Sequence, residues 1–248
     1  MKTPARAEKP KARYGISVRH RFSFDTDAES LYRRAVAVLS RLDPPWGLKD
    51  MPIKPLPTMR ANPGVGVGYT RELKAPIRVF WLGFKNRQLR AEPDDSPWWD
   101  DTLMVDFSID HPKVDYAHLV QQVIPVYVEA MDAYRVDLRE ENVASLDLNA
   151  LSRSPPPDLP VDVGNYRKYV NRIWAANYWD RQLCNRAFGL TPEHVAERLK
   201  DHVAESRILR NGVLVVYSAQ RVPDDQLAGI HDKLAPLLRR HASEAHAV

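Results

Sequence analysis

The stretch from Pro93 to Asp101 is where residue types and spacing most strongly suggest chemistry, because adjacent carboxylates flank adjacent indoles. Paired carboxylates carry out acid–base chemistry when burial drives their pKa values apart, but a polar loop supplies little desolvation. The spacing also does not fit an EF-hand calcium loop, which needs acidic ligands at alternate positions and a closing glutamate.

Protein recognition suits this stretch better. Indoles supply large contact areas at interfaces, and carboxylates attract a basic partner. In the alternative interpretation, one tryptophan packs under the loop and the aspartates only solvate it. The sequence predicts a partner-binding loop formed by Asp94, Asp95, Trp98, Trp99, Asp100 and Asp101.

Other residues that could catalyse a reaction or bind a metal are unfavourably placed. Cys184 is expected to face the core of a helix, where a thiol behaves as a small apolar group. His194, Glu197 and Asp201 share one helix face by spacing. Apolar residues occupy the opposite side of this helix, so the face with His194, Glu197 and Asp201 is expected to be solvated. We expect neither a cofactor nor a metal.

The glycine-rich segment, residues 62–68, is not arranged to hold a phosphate. A phosphate-binding loop runs from a strand into a helix N-terminus, whereas these glycines lead into the strand-like residues 69–73. An enzyme would therefore need a site assembled from dispersed residues, for example Asp106, His111 and Arg78.

The basic character of the chain comes from its N-terminus. The chain has 36 Lys and Arg against 32 Asp and Glu, and residues 1–13 hold five of the former but one of the latter. Residues 14–248 are therefore balanced, which argues against a nucleic-acid-binding fold, since such folds carry their basic excess in the folded part. Residues 1–13 are predicted to be a disordered tail, and contact between this tail and nucleic acid is kept as an alternative.

A cytoplasmic protein is expected. The single cysteine excludes an internal disulfide. No apolar run is long enough to cross a membrane, and the N-terminus has no apolar region of a secretory signal.

The periodicity of the first half predicts strands and helices that would position these residues. Alternation over 14–24 predicts a strand, followed by a helix that a capping box of Thr26 and Glu29 starts and residues 43–45 stop. Further strands are predicted over 64–73, 76–84 and 103–109. A long helix is predicted over 115–138, interrupted at Pro125.

The second half follows a Pro-rich connection over 141–165. A strand-like stretch is predicted near 168–176, then a helix capped by Asn177 that ends at Gly189, and a helix from Thr191 to Ser206. Asn211-Gly212 predicts a hairpin turn within 208–216. A last helix is predicted to begin at Asp224.

The order of these elements predicts an α+β fold, with a mostly antiparallel sheet and helices packed on one face. The halves 14–140 and 166–242 share the order strand, helix, two strands, helix. We expect one continuous sheet or two abutting sheets.

The second half resembles the C-terminal part of bacterial immunity proteins, which neutralise polymorphic or interbacterial toxins. The likeness lies in three segments, residues 177–184, 187–193 and 212–216. The resemblance implies a cytoplasmic inhibitor that covers a toxin's active site stoichiometrically. The leading hypothesis is therefore a non-enzymatic immunity protein whose partner is a toxin with a basic surface.

Overall fold

The computed structural model describes residues 12–58, 62, 64–87, 99–141, 143–145 and 165–239. Within these residues the chain forms one eight-stranded sheet whose neighbouring strands are all antiparallel. The predicted α+β class is confirmed. The strand order is β2-β3-β4-β1-β5-β6-β8-β7. The strands are β1 (Arg13–His20), β2 (Gly64–Gly68), β3 (Ile77–Lys85), β4 (Asp101–Ser108), β5 (Arg135–Glu140), β6 (Ala176–Asp180), β7 (Glu205–Leu209) and β8 (Gly212–Val216).

Seven α-helices with complete bounds and one π-helical turn accompany the sheet in the described residues, and residues 141 and 143–145 are helical as well. They are α1 (Ala28–Leu39), α2 (Thr70–Leu73), α3 (Tyr116–His118), the π-helical turn (Leu119–Val123), α4 (Ile124–Met131), α5 (Arg181–Phe188), α6 (Pro192–Leu199) and α7 (Asp224–Leu238). No helix among them is long and apolar enough to cross a bilayer.

The sheet has two chemically different sides over β1 to β4, because successive residues of a strand point to opposite faces. On one side of β4 the side chains are fully buried, and on the other they are partly exposed to solvent. The buried side packs against α1 and α4. The ring of Tyr32 in α1 contacts that of Phe84, and the ring of Tyr127 in α4 contacts that of Phe80. We call the other side, which bears Thr102, Met104 and Asp106, the open face.

Two similar sets of elements flank β5. The order β3-β4-β1 on one side corresponds to β7-β8-β6 on the other. The first set has β2 and α2 in addition, between α1 and β3, and in the second set two helices, α5 and α6, follow β6. The connection from β1 to β3 leads away from β5 in one direction, and the connection from β6 to β7 leads away in the other. Because both connections are expected to be right-handed, their helices should lie on opposite faces of the sheet. In agreement, the ring of Phe188 in α5 lies 5.3 Å from the ring of Trp179, and the side chain of Trp179 points to the same side as the open face.

The first predicted elements differ from the structure at their ends. Asp27, rather than Thr26, caps α1, and its carboxylate accepts a hydrogen bond from the Ser30 amide at 2.8 Å. The interruption at Pro125 is confirmed, since the π-helical turn ends at Val123 and Pro125 lies in the first turn of α4. The predicted helix over 115–138 is too long, because the chain turns at Asp132, where φ is 45°, and residues 135–140 form β5. Residues 70–73 form α2 rather than a strand.

The second half shows similar shifts. Asn177 lies within β6, and Asp180 caps α5 by accepting from the Leu183 amide at 2.8 Å. The helix that begins after Thr191 ends at Leu199 rather than Ser206. The predicted hairpin is confirmed, but its two-residue loop is residues 210–211, because Leu209 pairs with Gly212.

Candidate functional site

The predicted partner-binding loop is divided by the structure. Asp94, Asp95 and Trp98 lie outside the described residues. Trp99 is half-buried, with its ring 6.0 Å from that of Phe22. Asp100 and Asp101 are buried, with 2% and 0% of their surface exposed. The expectation that these two aspartates form an exposed acidic rim is therefore wrong.

Asp100 is the centre of a buried polar network. Arg167 Nε donates to Asp100 Oδ1 at 2.7 Å, and Tyr134 Oη donates to Asp100 Oδ2 at 2.5 Å. Arg19 Nη1 lies 3.4 Å from the same Oδ2. Burial raises the pKa of Asp100, while Arg167, Tyr134 and Arg19 act in the opposite direction. The network ties residues 165–174 to the sheet and joins the two halves of the chain.

Aromatic stacking reinforces this attachment. The Arg19 guanidinium lies 4.4 Å from the centroid of the Tyr166 ring, and the Arg135 guanidinium lies 5.2 Å from it. Arg135 also forms an ion pair with Asp137 at 2.7 Å. The aromatic and basic residues near 166–174 thus serve internal packing in the described structure.

Asp101 is likewise satisfied within the chain. Its Oδ1 accepts from the Lys85 amide at 2.8 Å and from Arg87 Nη1 at 2.8 Å. Arg87 in turn stacks on Phe22, 4.8 Å from the ring centroid. Through these internal contacts the two buried aspartates hold the start of β4 in place.

Trp81 is the most conspicuous side chain of the open face. It is 42% exposed, although large apolar side chains on this sheet are otherwise mostly buried. Its indole lies directly over β2: a Cβ added to Gly66 would be 2.0 Å from Trp81 Cζ2, and one added to Gly68 would be 3.3 Å from Cε3. The glycines of β2 therefore leave room for the indole to lie flat on the strand. We call this arrangement the Trp81 shelf.

A cavity of about 550 Å³ opens beside the Trp81 shelf. Hydrophobic contact with the indole is combined there with charged and hydroxyl groups from the neighbouring strands. The lining includes Arg19, Trp81, Gly83, Lys85, Asp100 and Thr102.

A pair of carboxylates lies elsewhere on the open face. Asp106 and Glu141 converge over Gly15, since a Cβ added to Gly15 would be 3.1 Å from Asp106 Oδ1 and 2.5 Å from Glu141 Oε1. Burial and the charge of Glu141 raise the pKa of Asp106, and Arg139 and Arg78 oppose this shift.

Of the residues considered for a dispersed active site, Asp106 and Arg78 interact electrostatically. His111 follows β4 in a turn, where its Nδ1 accepts from the Lys113 amide at 3.2 Å. The structure records no contact between His111 and the other two.

The structure also describes the cysteine and the helix-start histidine considered in the sequence analysis. Cys184 is fully buried, and burial raises the pKa of its thiol to about 12. Within the described ranges no group of His, Cys, Asp and Glu is arranged to hold a metal ion. His194 donates its backbone amide to the N-cap Thr191 at 3.4 Å, as expected for a solvated helix start.

Sequence reasoning placed Trp81 in a strand but did not identify it as a surface residue. The available signal was the alternation of glycine over residues 64–68, which removes every side chain from one face of β2. Such a strand leaves space for a large residue of the strand beside it, but the antiparallel register that selects Trp81 becomes known only from the structure.

No protein-family model matches this sequence, and no curated protein matches it either.

Proposed function

We propose that the chain is a non-enzymatic protein-binding protein, of the immunity type that neutralises a toxin by stoichiometric binding, and that it binds through the Trp81 shelf. The observation that carries the proposal is the exposure of Trp81 on a sheet face that no described helix covers over β2 to β4. An indole there has 42% of its surface available to a partner.

The geometry suits a binding anchor. Tryptophan and arginine dominate interface hot spots, which are typically large side chains surrounded by a polar rim. The indole is held against β2 before binding, so little side-chain entropy remains to be lost on association. Arg19, Lys85 and Thr102 provide polar groups around it.

The immunity assignment rests on the C-terminal resemblance described above, while the binding surface rests on the first half of the sheet. The proposal places the contact on the open face rather than on the whole of the 93–101 loop. Within that loop, Trp99 contributes an aromatic edge beside Phe22 and Phe24, the latter 47% exposed.

The test is co-expression of the full chain with the products of the reading frames that flank its gene. We expect one of them to form an equimolar complex and to be toxic to cells without this chain. Isothermal titration should then show that Trp81→Ala weakens the complex by a factor of about 30 or more, the loss typical of a hot-spot residue.

Two further variants make the test specific. Gly66→Ala keeps the indole but displaces it from the strand, so it should weaken binding as well. Ile208→Ala removes a 44% exposed apolar side chain from β7, at the opposite edge of the sheet, and should have no effect. If no flanking product binds, or if Trp81→Ala binds as tightly as the natural sequence, the proposal is wrong.

A further inference from the structure

The charges of the open face differ from those expected of the partner-binding loop. The basic side chains on or bordering this face are Arg13, Arg19, Arg78, Lys85 and Arg139, and the acidic ones are Asp106 and Glu141. Two further carboxylates near this face are each paired with a buried arginine: Asp100 with Arg167, and Asp137 with Arg135. The open face is therefore positive, although residues 14–248 carry no net charge.

Part of this positive charge is not neutralised within the described structure. Arg19 pairs with Asp100, and Arg139 pairs with Glu141 at 3.3 Å. In contrast, Arg13, Arg78 and Lys85 form no ion pair with any described residue, although Arg78 interacts electrostatically with Asp106. Elsewhere on the surface many cations are paired, for example Arg41 with Glu129 at 2.5 Å.

We infer that the open face receives an acidic protein surface, with an apolar or aromatic side chain of the partner against Trp81 and carboxylates against Arg78 and Lys85. This inference rests on the proposed function and replaces the basic partner expected from the 93–101 loop. The two buried aspartates of that loop are internally paired, whereas Arg19 and Lys85 line the cavity beside the exposed indole. Complementary charge accelerates encounter and disfavours partners of like charge.

A peptide selection tests the chemistry of the partner without knowledge of its identity. A random-peptide display library is selected on the full chain, and the affinity of a recovered peptide is measured by fluorescence anisotropy. We expect recovered sequences to be enriched in Asp and Glu together with an aromatic or large apolar residue. Their binding should weaken at high salt and should be lost in Trp81→Ala.

Charge reversal provides the matched comparison. Arg78→Glu combined with Lys85→Glu should weaken the recovered peptide by about tenfold or more. Arg34→Glu combined with Lys113→Glu changes the net charge equally, at exposed positions outside the open face, and should have little effect. Because neither pair of residues forms a described ion pair, both variants are expected to fold.

Three results would overturn the inference: recovered peptides rich in Lys and Arg, recovery of no peptide that depends on Trp81, or unchanged affinity after the open-face reversal. Single-stranded poly(U) RNA is measured in parallel, because aromatic and basic residues together also bind nucleobases. Tighter, Trp81-dependent binding of poly(U) would replace the acidic protein by a nucleic acid.

The same charge-reversed variant separates this inference from the proposed function. If a flanking gene product binds in a Trp81-dependent manner but binds the Arg78→Glu, Lys85→Glu variant more tightly, the chain is a protein-binding protein whose partner is basic. The proposed function would then stand, and the acidic partner would be excluded.

Discussion

Replacement of Asp100 by alanine should destabilise the protein strongly, although Asp100 lies in a stretch whose composition suggests a surface loop. The side chain of Asp100 is fully buried, and that of Arg167 is 2% exposed. Asp100→Ala removes the carboxylate to which Arg167 donates, while the guanidinium stays away from water. Breaking a buried ion pair by removing one partner costs about 3–5 kcal/mol.

The structure places the expected loss near the lower end of that range. Arg167 makes further contacts besides Asp100, and Arg19 is 20% exposed and 3.4 Å away, so neither cation loses all of its stabilisation. Tyr134 also loses the acceptor of its buried hydroxyl. We expect the free energy of unfolding to fall by about 3 kcal/mol, a large share of the roughly 5–15 kcal/mol of a typical domain.

Urea unfolding followed by far-ultraviolet circular dichroism and tryptophan fluorescence measures this loss. The matched control is Asp110→Ala, because Asp110 pairs with Arg221 at the surface, where the two side chains are 48% and 31% exposed. Exposed ion pairs contribute about 0–1 kcal/mol, so this control should unfold at nearly the natural urea concentration.

The two interpretations of Asp100 predict opposite results. A recognition residue in a solvated loop would lose partner affinity and leave stability unchanged. A buried network residue loses stability in the absence of any partner. If Asp100→Ala costs no more than Asp110→Ala, the buried network does not stabilise the fold as the geometry indicates.

Two further predictions concern the second half of the chain. Burial raises the pKa of the Cys184 thiol to about 12, so native protein should resist iodoacetamide at mildly alkaline pH and react only when urea unfolds it, as mass spectrometry would show. The free energy of unfolding should also fall as the pH rises from the usual pKa of a thiol towards 12, because the thiol of the unfolded chain ionises first. Rapid alkylation of the native protein would contradict both statements. Arg210 has φ of 53° in the hairpin loop, a conformation that costs a non-glycine residue about 1–2 kcal/mol. Arg210→Gly should therefore raise the melting temperature in calorimetry, since the half-exposed ion pair of Arg210 with Asp132 at 3.5 Å adds little stability. A lower melting temperature would show that this ion pair, or the greater conformational entropy of glycine in the unfolded chain, dominates.

Local signals predicted several elements correctly. The alternation around β1 and β4, the Thr191-Pro192 start of α6 and the Gly189 end of α5 follow from the preferences of nearby residues. Errors arose where two local signals competed. Thr26 and Asp27 can both cap a helix, and the choice depends on which side chain reaches the Ser30 amide.

β5 shows a different limit of sequence reasoning. The helix predicted over 115–138 included residues 135–138, which form most of β5. The residues of β5 are buried or largely buried, and the charged ones are no exception. The reason is that β5 lies inside the sheet, where it pairs with β1 and β6. Arg135 and Asp137 are stabilised there by pairing with each other, and Arg135 also donates to the Tyr169 carbonyl. These contacts exist only in the folded sheet.

The sequence by itself determined the α+β class, the local signals for most strands and helices, and the balance of charge over residues 14–248. Those properties depend on composition and on residues close together in the chain. Only the tertiary structure decided that Asp100 is buried against Arg167, 67 positions away, and that Trp81 lies exposed over Gly66. Both outcomes depend on strand register and on contacts between distant segments, which neither local periodicity nor residue type specifies.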